Sequence, residues 1–94
     1  MKTIQYDDRV ETVNSNNELH SFNDKPAIVY NNGNLYYCNN GKIHRNYDKP
    51  AVIDADGTKC WYKEGKLHRL RGPAIEWSDG EKEWWYDDQQ VQHR

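Results

Sequence analysis

Nineteen residues, Gly57 to Ile75, constrain what this chain can fold into, because most of the remaining sequence reads as copies of Gly-Thr-Lys-Cys-Trp-Tyr-Lys-Glu-Gly-Lys-Leu-His-Arg-Leu-Arg-Gly-Pro-Ala-Ile. Gly33, Gly41, His44 and Ala51 precede Gly57, Gly65, His68 and Ala74 by 24, 24, 24 and 23 residues, and Gly80, Trp84 and His93 follow Gly57, Trp61 and His68 by 23, 23 and 25. A period in the twenties marks a repeat architecture, in which one supersecondary unit buries its apolar face only against its neighbours. The units run 1–24, 25–48, 49–71 and 72–94, in one domain of 94 residues. The first is a diverged cap, in which Ile4 falls where Ile28, Val52 and Ile75 fall and Val13 where Tyr37, Trp61 and Trp84 fall. The last is truncated.

Local residue choice fills each unit with short strands. Ala27-Ile28-Val29-Tyr30, Leu35-Tyr36-Tyr37-Cys38 and Lys42-Ile43-His44-Arg45 are β-branched and aromatic runs separated by Asn32-Gly33 and Asn40-Gly41, and the same order returns from Ala51 to Arg69. Asn-Gly and Asp-Gly between such runs predict two-residue hairpins in which both turn residues take positive φ. Pro26, Pro50 and Pro73 each open a strand after a polar corner, where proline removes no ladder hydrogen bond. No segment carries a helical period of useful length. The expectation is an all-β, single-layer antiparallel meander of about twelve short strands in about four 24-residue hairpin units. Hydrophobic residues are only 35% of the chain, too few to fill a deep two-layer core, so the four Trp and seven Tyr must cover the sheet. Tyr36-Tyr37, Trp61-Tyr62 and Trp84-Trp85 each place one aromatic on either face, because successive strand residues alternate.

Charge and cysteine usage narrow the partners. The formal net charge is -2, with acids and bases interleaved, which argues against duplex nucleic acid. No apolar run is long enough for a signal peptide or a membrane helix, so the expected setting is the cytoplasm, away from membranes. Cys38 and Cys60 fall in different columns of the repeat and read as free thiols, although a shared strand parity leaves a disulfide between them open.

His20, His44, His68 and His93 form one column. Equivalent residues in neighbouring units should lie about 9 to 10 Å apart, too far to share a zinc whose ligands sit about 2 Å from the metal. Each histidine is better read as bonding the following turn or corner, and no metal or cofactor is expected. Arg45, Arg69 and Arg94 follow the histidines and either stack on an aromatic of their own unit or pair with a corner acid such as Asp48. The competing reading is an anion clamp of Arg45, Arg69, Lys42 and Lys66 with Tyr37 as a stacking face. No catalytic signature is present, and the repetition of one His-Arg pair argues for lattice geometry rather than an enzyme.

Tyr62-Lys63-Glu64-Gly65-Lys66-Leu67-His68 resembles part of the MORN repeat, and Cys38 to His44 matches it apart from the cysteine. The departure comes at the next position, where MORN repeats carry Gly and this chain carries arginine. Closer still is a MORN-like variant with the pattern Gly-x-x-x-Trp-Trp/Tyr-x-x-Gly-x-Leu-His-Arg-x-x-Gly-Pro-Ala, found in small proteins of tailed phages and large DNA viruses. That resemblance implies a non-catalytic binding protein of a bacteriophage in the host cytoplasm, an anti-CRISPR-like inhibitor that binds a host antiviral-defence protein. The partner surface expected is the aromatic face of Trp61, Trp77, Trp84, Trp85 and Tyr86, rimmed by Arg69, Arg71 and Arg94. Two alternatives remain beside it: a sponge that sequesters a nucleotide signal on the His-Arg column, and a self-associating scaffold. A homodimer through the C-terminal strand edge is also expected, since an uncovered edge is a template for pairing.

Overall fold

The computed structural model describes residues 1–92; His93 and Arg94, and with them the readings placed on those two, lie outside the described residues. The fold is all-β, with no helix among the described residues and therefore none long and apolar enough to cross a membrane. Thirteen strands follow one another: β1 (Lys2–Gln5), β2 (Arg9–Val13), β3 (Ile28–Tyr30), β4 (Leu35–Tyr36), β5 (Cys38–Asn39), β6 (Lys42–Ile43) and β7 (Val52–Ile53), then β8 (Lys59–Cys60), β9 (Tyr62–Lys63), β10 (Lys66–Leu67), β11 (Ile75–Glu76), β12 (Lys82–Tyr86) and β13 (Gln89–Val91). Nine form one antiparallel sheet in the order β1-β2-β3-β4-β7-β8-β11-β12-β13, and the other four pair as β5-β6 and β9-β10.

The two small hairpins add a feature to the expected single layer, and Tyr37 and Trp61 show how they arise. The Tyr37 N–H donates across the main sheet to the Ala51 carbonyl at 2.7 Å, while its own carbonyl accepts from the His44 N–H at 3.1 Å. Trp61 repeats this with Ala74 at 2.7 Å and His68 at 3.0 Å. At these residues a continuous strand changes partner, leaving the nine-stranded sheet to pair with the histidine-bearing strand of its own unit. His20 N–H bonds the Thr12 carbonyl, and Thr12 N–H the Ala27 carbonyl, in the same pattern. The counterpart of Tyr37 in the first unit is therefore Thr12 and not Val13, because the Asn14–Glu18 turn carries one more residue than the Asn39–Lys42 turn.

Two kinds of turn close the hairpins. Tyr30 N–H bonds Asn34 carbonyl and Gly33 N–H bonds Tyr30 carbonyl, which makes a three-residue loop with only Gly33 left-handed, at φ 100°. Asp54–Thr58 and Trp77–Glu81 repeat it, and Asn32, Asp56 and Asp79 each accept the N–H two residues on through a side-chain oxygen. The two-residue turns with both φ positive close the lateral hairpins, at Asn40-Gly41 (47° and 88°) and Glu64-Gly65 (51° and 84°), and join β12 to β13 at Asp87-Asp88 (48° and 67°). The expectation of one turn type throughout is corrected by that extra loop residue.

Directly opposed residues align Ile4, Glu11, Ile28, Tyr36, Val52, Cys60, Ile75 and Glu83 in one row across eight strands. Alternation places Tyr30, Cys38, Tyr62, Trp77 and Trp85 on that same face, and Ala27, Tyr37, Ala51, Trp61, Ala74 and Trp84 on the other. Ala27, Ala51 and Ala74 are at most 1% exposed and sit beside Tyr37 and Trp61, so a small residue alternates with a large one and the narrow sheet stays filled.

Candidate functional site

Three arrangements of side chains lie on this frame. The first is a ladder of arginines. The Arg45 guanidinium lies 3.6 Å from the Tyr37 ring centroid, grips Asp24 through Nε and Nη2 at 2.9 and 3.1 Å, and donates Nη1 to the Pro50 carbonyl at 3.0 Å. Arg69 lies 3.8 Å from the Trp61 centroid, grips Asp48 at 2.9 and 3.3 Å, and donates Nη1 to Pro73 carbonyl and Glu76. Stacking and corner pairing, expected as alternatives, occur together. The corner supplies the acid because Asn23, Asp24, Tyr47 and Asp48 are all left-handed, turning each carboxylate back over the next unit's arginine. Hydrogen bonds from Arg45, then Lys49, hold Asp24 well below the usual carboxylate range, and Arg69 lowers Asp48 in the same way.

The second arrangement is the histidine column. His20, His44 and His68 accept at Nδ1 the backbone N–H of Asn40, Glu64 and Asp87, at 3.1, 3.0 and 3.2 Å. Each imidazole therefore ties its unit to the turn of the next one through Nδ1, and in His44 the other ring nitrogen, Nε2, lies 2.7 Å from Asn46 Oδ1. Alongside, Gly41 N–H bonds the Leu19 carbonyl, Gly65 N–H the Ile43 carbonyl and Asp88 N–H the Leu67 carbonyl. No cluster of three metal-ligating side chains occurs among the described residues.

The third is an aromatic end. Glu83 accepts the indole N–H of Trp77 at 2.6 Å through one oxygen and that of Trp85 at 3.0 Å through the other, with Gln90 Nε2 at 3.4 Å. One carboxylate thus fixes two tryptophans, of which Trp77 remains 44% exposed. Glu83 is the counterpart of Cys60 and Tyr36 in the repeat, and the glutamate at the same position of the first unit, Glu11, bonds Arg9 instead of an indole, so sequence reasoning passed it over. The signal was there in its strand parity, which puts it on the Trp77 and Trp85 face.

The expected partner face is divided by the sheet. Trp77 and Trp85 stand together on one side, while Trp61 and Trp84 project from the other. Trp61 is 6% exposed beneath Arg69 and donates its indole N–H to the Asp48 carbonyl at 3.1 Å, which leaves it little surface for a partner. Tyr86 stacks edge-on against His68 with centroids 5.7 Å apart. Of the expected rim, Arg69 is held in its fork and Arg71 is exposed on the corner. The anion-clamp residues are likewise separated: Arg45 and Arg69 spend their donors on Asp24, Asp48 and backbone carbonyls, the Tyr37 ring face is covered by Arg45, and Lys42 and Lys66 are exposed on the lateral hairpins. Cys38 and Cys60 are both free, which corrects the open disulfide reading: the Tyr36–Val52 and Val52–Cys60 pairings leave β7 between their two strands. Burial pushes both thiols up to about 11.

No family model, curated protein or solved structure matches the chain.

Proposed function

We propose that this is a non-catalytic binding protein that holds a protein partner at the Trp77–Glu83–Trp85 end of the sheet. The observation that carries the reading is the shared Glu83 carboxylate, which fixes the indole of an exposed tryptophan before any partner arrives. Tryptophan dominates interface energetics, and a side chain already held in place loses less entropy on binding. In the setting that the MORN-like resemblance implies, the partner is a host-defence protein and the chain its phage-encoded inhibitor. The nucleotide-sponge reading draws less support, since its arginines already have carboxylate partners.

Native mass spectrometry of tagged protein purified gently from bacterial cells tests this. The expected result is one co-purifying protein that is retained by wild type and lost from Trp77→Ala and Glu83→Gln. The same spectrum from Trp77→Ala as from wild type would overturn it, as would an added mass of nucleotide size in place of a protein. Self-association is favoured by a separate observation: among the described residues β13 pairs only with β12, and Gln89, Gln90 and Val91 are all exposed. That reading expects a concentration-dependent dimer in sedimentation and no outside partner.

A further inference from the structure

Between the corners and the lateral hairpins lie two grooves, of about 460 and 220 Å³, that share His44, Arg45 and Asn46 and so adjoin along successive units; the two together are the channel. Its floor is closed by the stacked pairs Arg45 on Tyr37 and Arg69 on Trp61. Its lining is strongly one-signed. Arg45, Lys49, Lys63, Arg69 and Arg71 face the lining carboxylates Asp24 and Asp48, and Glu76 just outside also pairs with Arg69, which leaves an excess of two positive charges on a chain whose net charge is -2. Asp24 answers both Arg45 and Lys49, and Asp48 is already in the fork of Arg69. Lys63 and Arg71 have no ion pair among the described residues.

The corner wall carries apolar groups that the fold itself does not use. Tyr47 is 88% exposed and Leu70 is 74% exposed, one on each groove. Tyr47 also sits at φ 65°, where its counterpart in the first corner is Asn23 at φ 56°. Asparagine tolerates that conformation far better than an aromatic residue does, and Tyr47 gains no burial in return.

We propose that this channel is a second binding surface, which takes an acidic, extended peptide segment whose carboxylates meet Lys49, Lys63 and Arg71 and whose apolar side chains pack on Tyr47 and Leu70. A single-stranded nucleic acid carries the same charge but stacks successive bases on a row of bare aromatic faces, and with the Tyr37 and Trp61 rings capped by guanidinium groups the lining offers Tyr47 in place of such a row. The proposal is independent of the Trp77 end.

Fluorescence anisotropy with three labelled probes tests it: a peptide of alternating Glu and Leu, the same peptide with Lys for Glu, and oligo-dT. The Glu peptide should bind, and binding should weaken about tenfold in Lys63→Glu/Arg71→Glu and on raising salt from 0.05 to about 0.5 M. Lys2→Glu/Lys82→Glu, an equal charge change away from the channel, should leave binding within about twofold, as should Trp77→Ala. Tyr47→Asn should weaken the complex several-fold while leaving the melting temperature of the free protein unchanged or higher. Absence of Glu-peptide binding overturns the proposal. So does tighter binding of oligo-dT or of the Lys peptide, or equal losses in the channel and control charge reversals.

Discussion

The Nδ1 atom of His44 accepts the backbone N–H of Glu64, twenty residues downstream, at 3.0 Å. That bond crosses from one copy of the repeat to the next, so a side chain selects the position of a neighbouring turn. His44→Ala removes the acceptor and should cost about 1 to 2 kcal/mol in urea unfolding. His44→Asn, whose Oδ1 can replace Nδ1, should recover part of the loss, and His44→Phe should not. Equal midpoints for the Asn and Phe variants would show that ring packing, not the bond, is what matters.

Arg69 combines a planar fork on Asp48 with a stack on Trp61. Lysine can supply the charge but neither the fork nor the flat face. Arg69→Lys should destabilise the protein by about 1 kcal/mol, and Arg69→Ala should do more, because it also uncovers a buried ring. Acrylamide quenching of tryptophan emission should rise in the alanine variant; unchanged quenching would place Trp61 under some other cover.

Asp24 and Asp48 are both depressed by hydrogen bonds from arginine, so each binds its proton more weakly in the folded chain than in the unfolded one. Their stabilisation is fully present above the unfolded value, about 4, and is lost as pH falls from there toward the lowered folded values. Asp54, raised by burial, works in the opposite direction. Denaturation midpoints should therefore be level near pH 7 and decline below about pH 4, less steeply in a doubly substituted Asp24→Asn/Asp48→Asn protein.

At neutral pH the Cys38 and Cys60 thiols are protonated, since burial has pushed both up to about 11. Iodoacetamide should modify neither appreciably in the native protein at pH 7.5 and both within minutes in urea. The sign of the linkage is fixed: unfolded thiols ionise first as pH rises past about 8.5, so stability should fall between there and the folded values. Rapid native alkylation at either position would contradict the burial.

Much of this fold was legible because its information is local and repeated. Pro26, Pro50 and Pro73 announced the corners, and Gly33, Gly41, Gly57 and Gly65 announced the turns. What escaped was set by single residues. Whether a turn has two or three loop residues depends on where the first ladder bond forms, and Asn32-Gly33 and Asn40-Gly41 look alike without that knowledge. The switch of partner at Tyr37 and Trp61 is a backbone event with no residue signature. For the arginines, Asp48 was named in advance as a corner acid, yet the simultaneous stack needed the left-handed Tyr47-Asp48 backbone to bring the carboxylate over Arg69. Glu83 was missed because its column holds Tyr36 and Cys60 in the middle units and a glutamate again only at Glu11, which pairs with Arg9 instead of an indole.

The ties through His20, His44 and His68, and the backbone bonds from Gly41, Gly65 and Asp88, each reach only the adjacent unit. Such a molecule can be lengthened like a ruler: its longest dimension is 44 Å, and duplicating one unit between the Tyr47 corner and the Trp77 end would move the two apart by one further step. Spacing between two contact points is then something the gene can adjust by copying 24 residues, without redesigning either one.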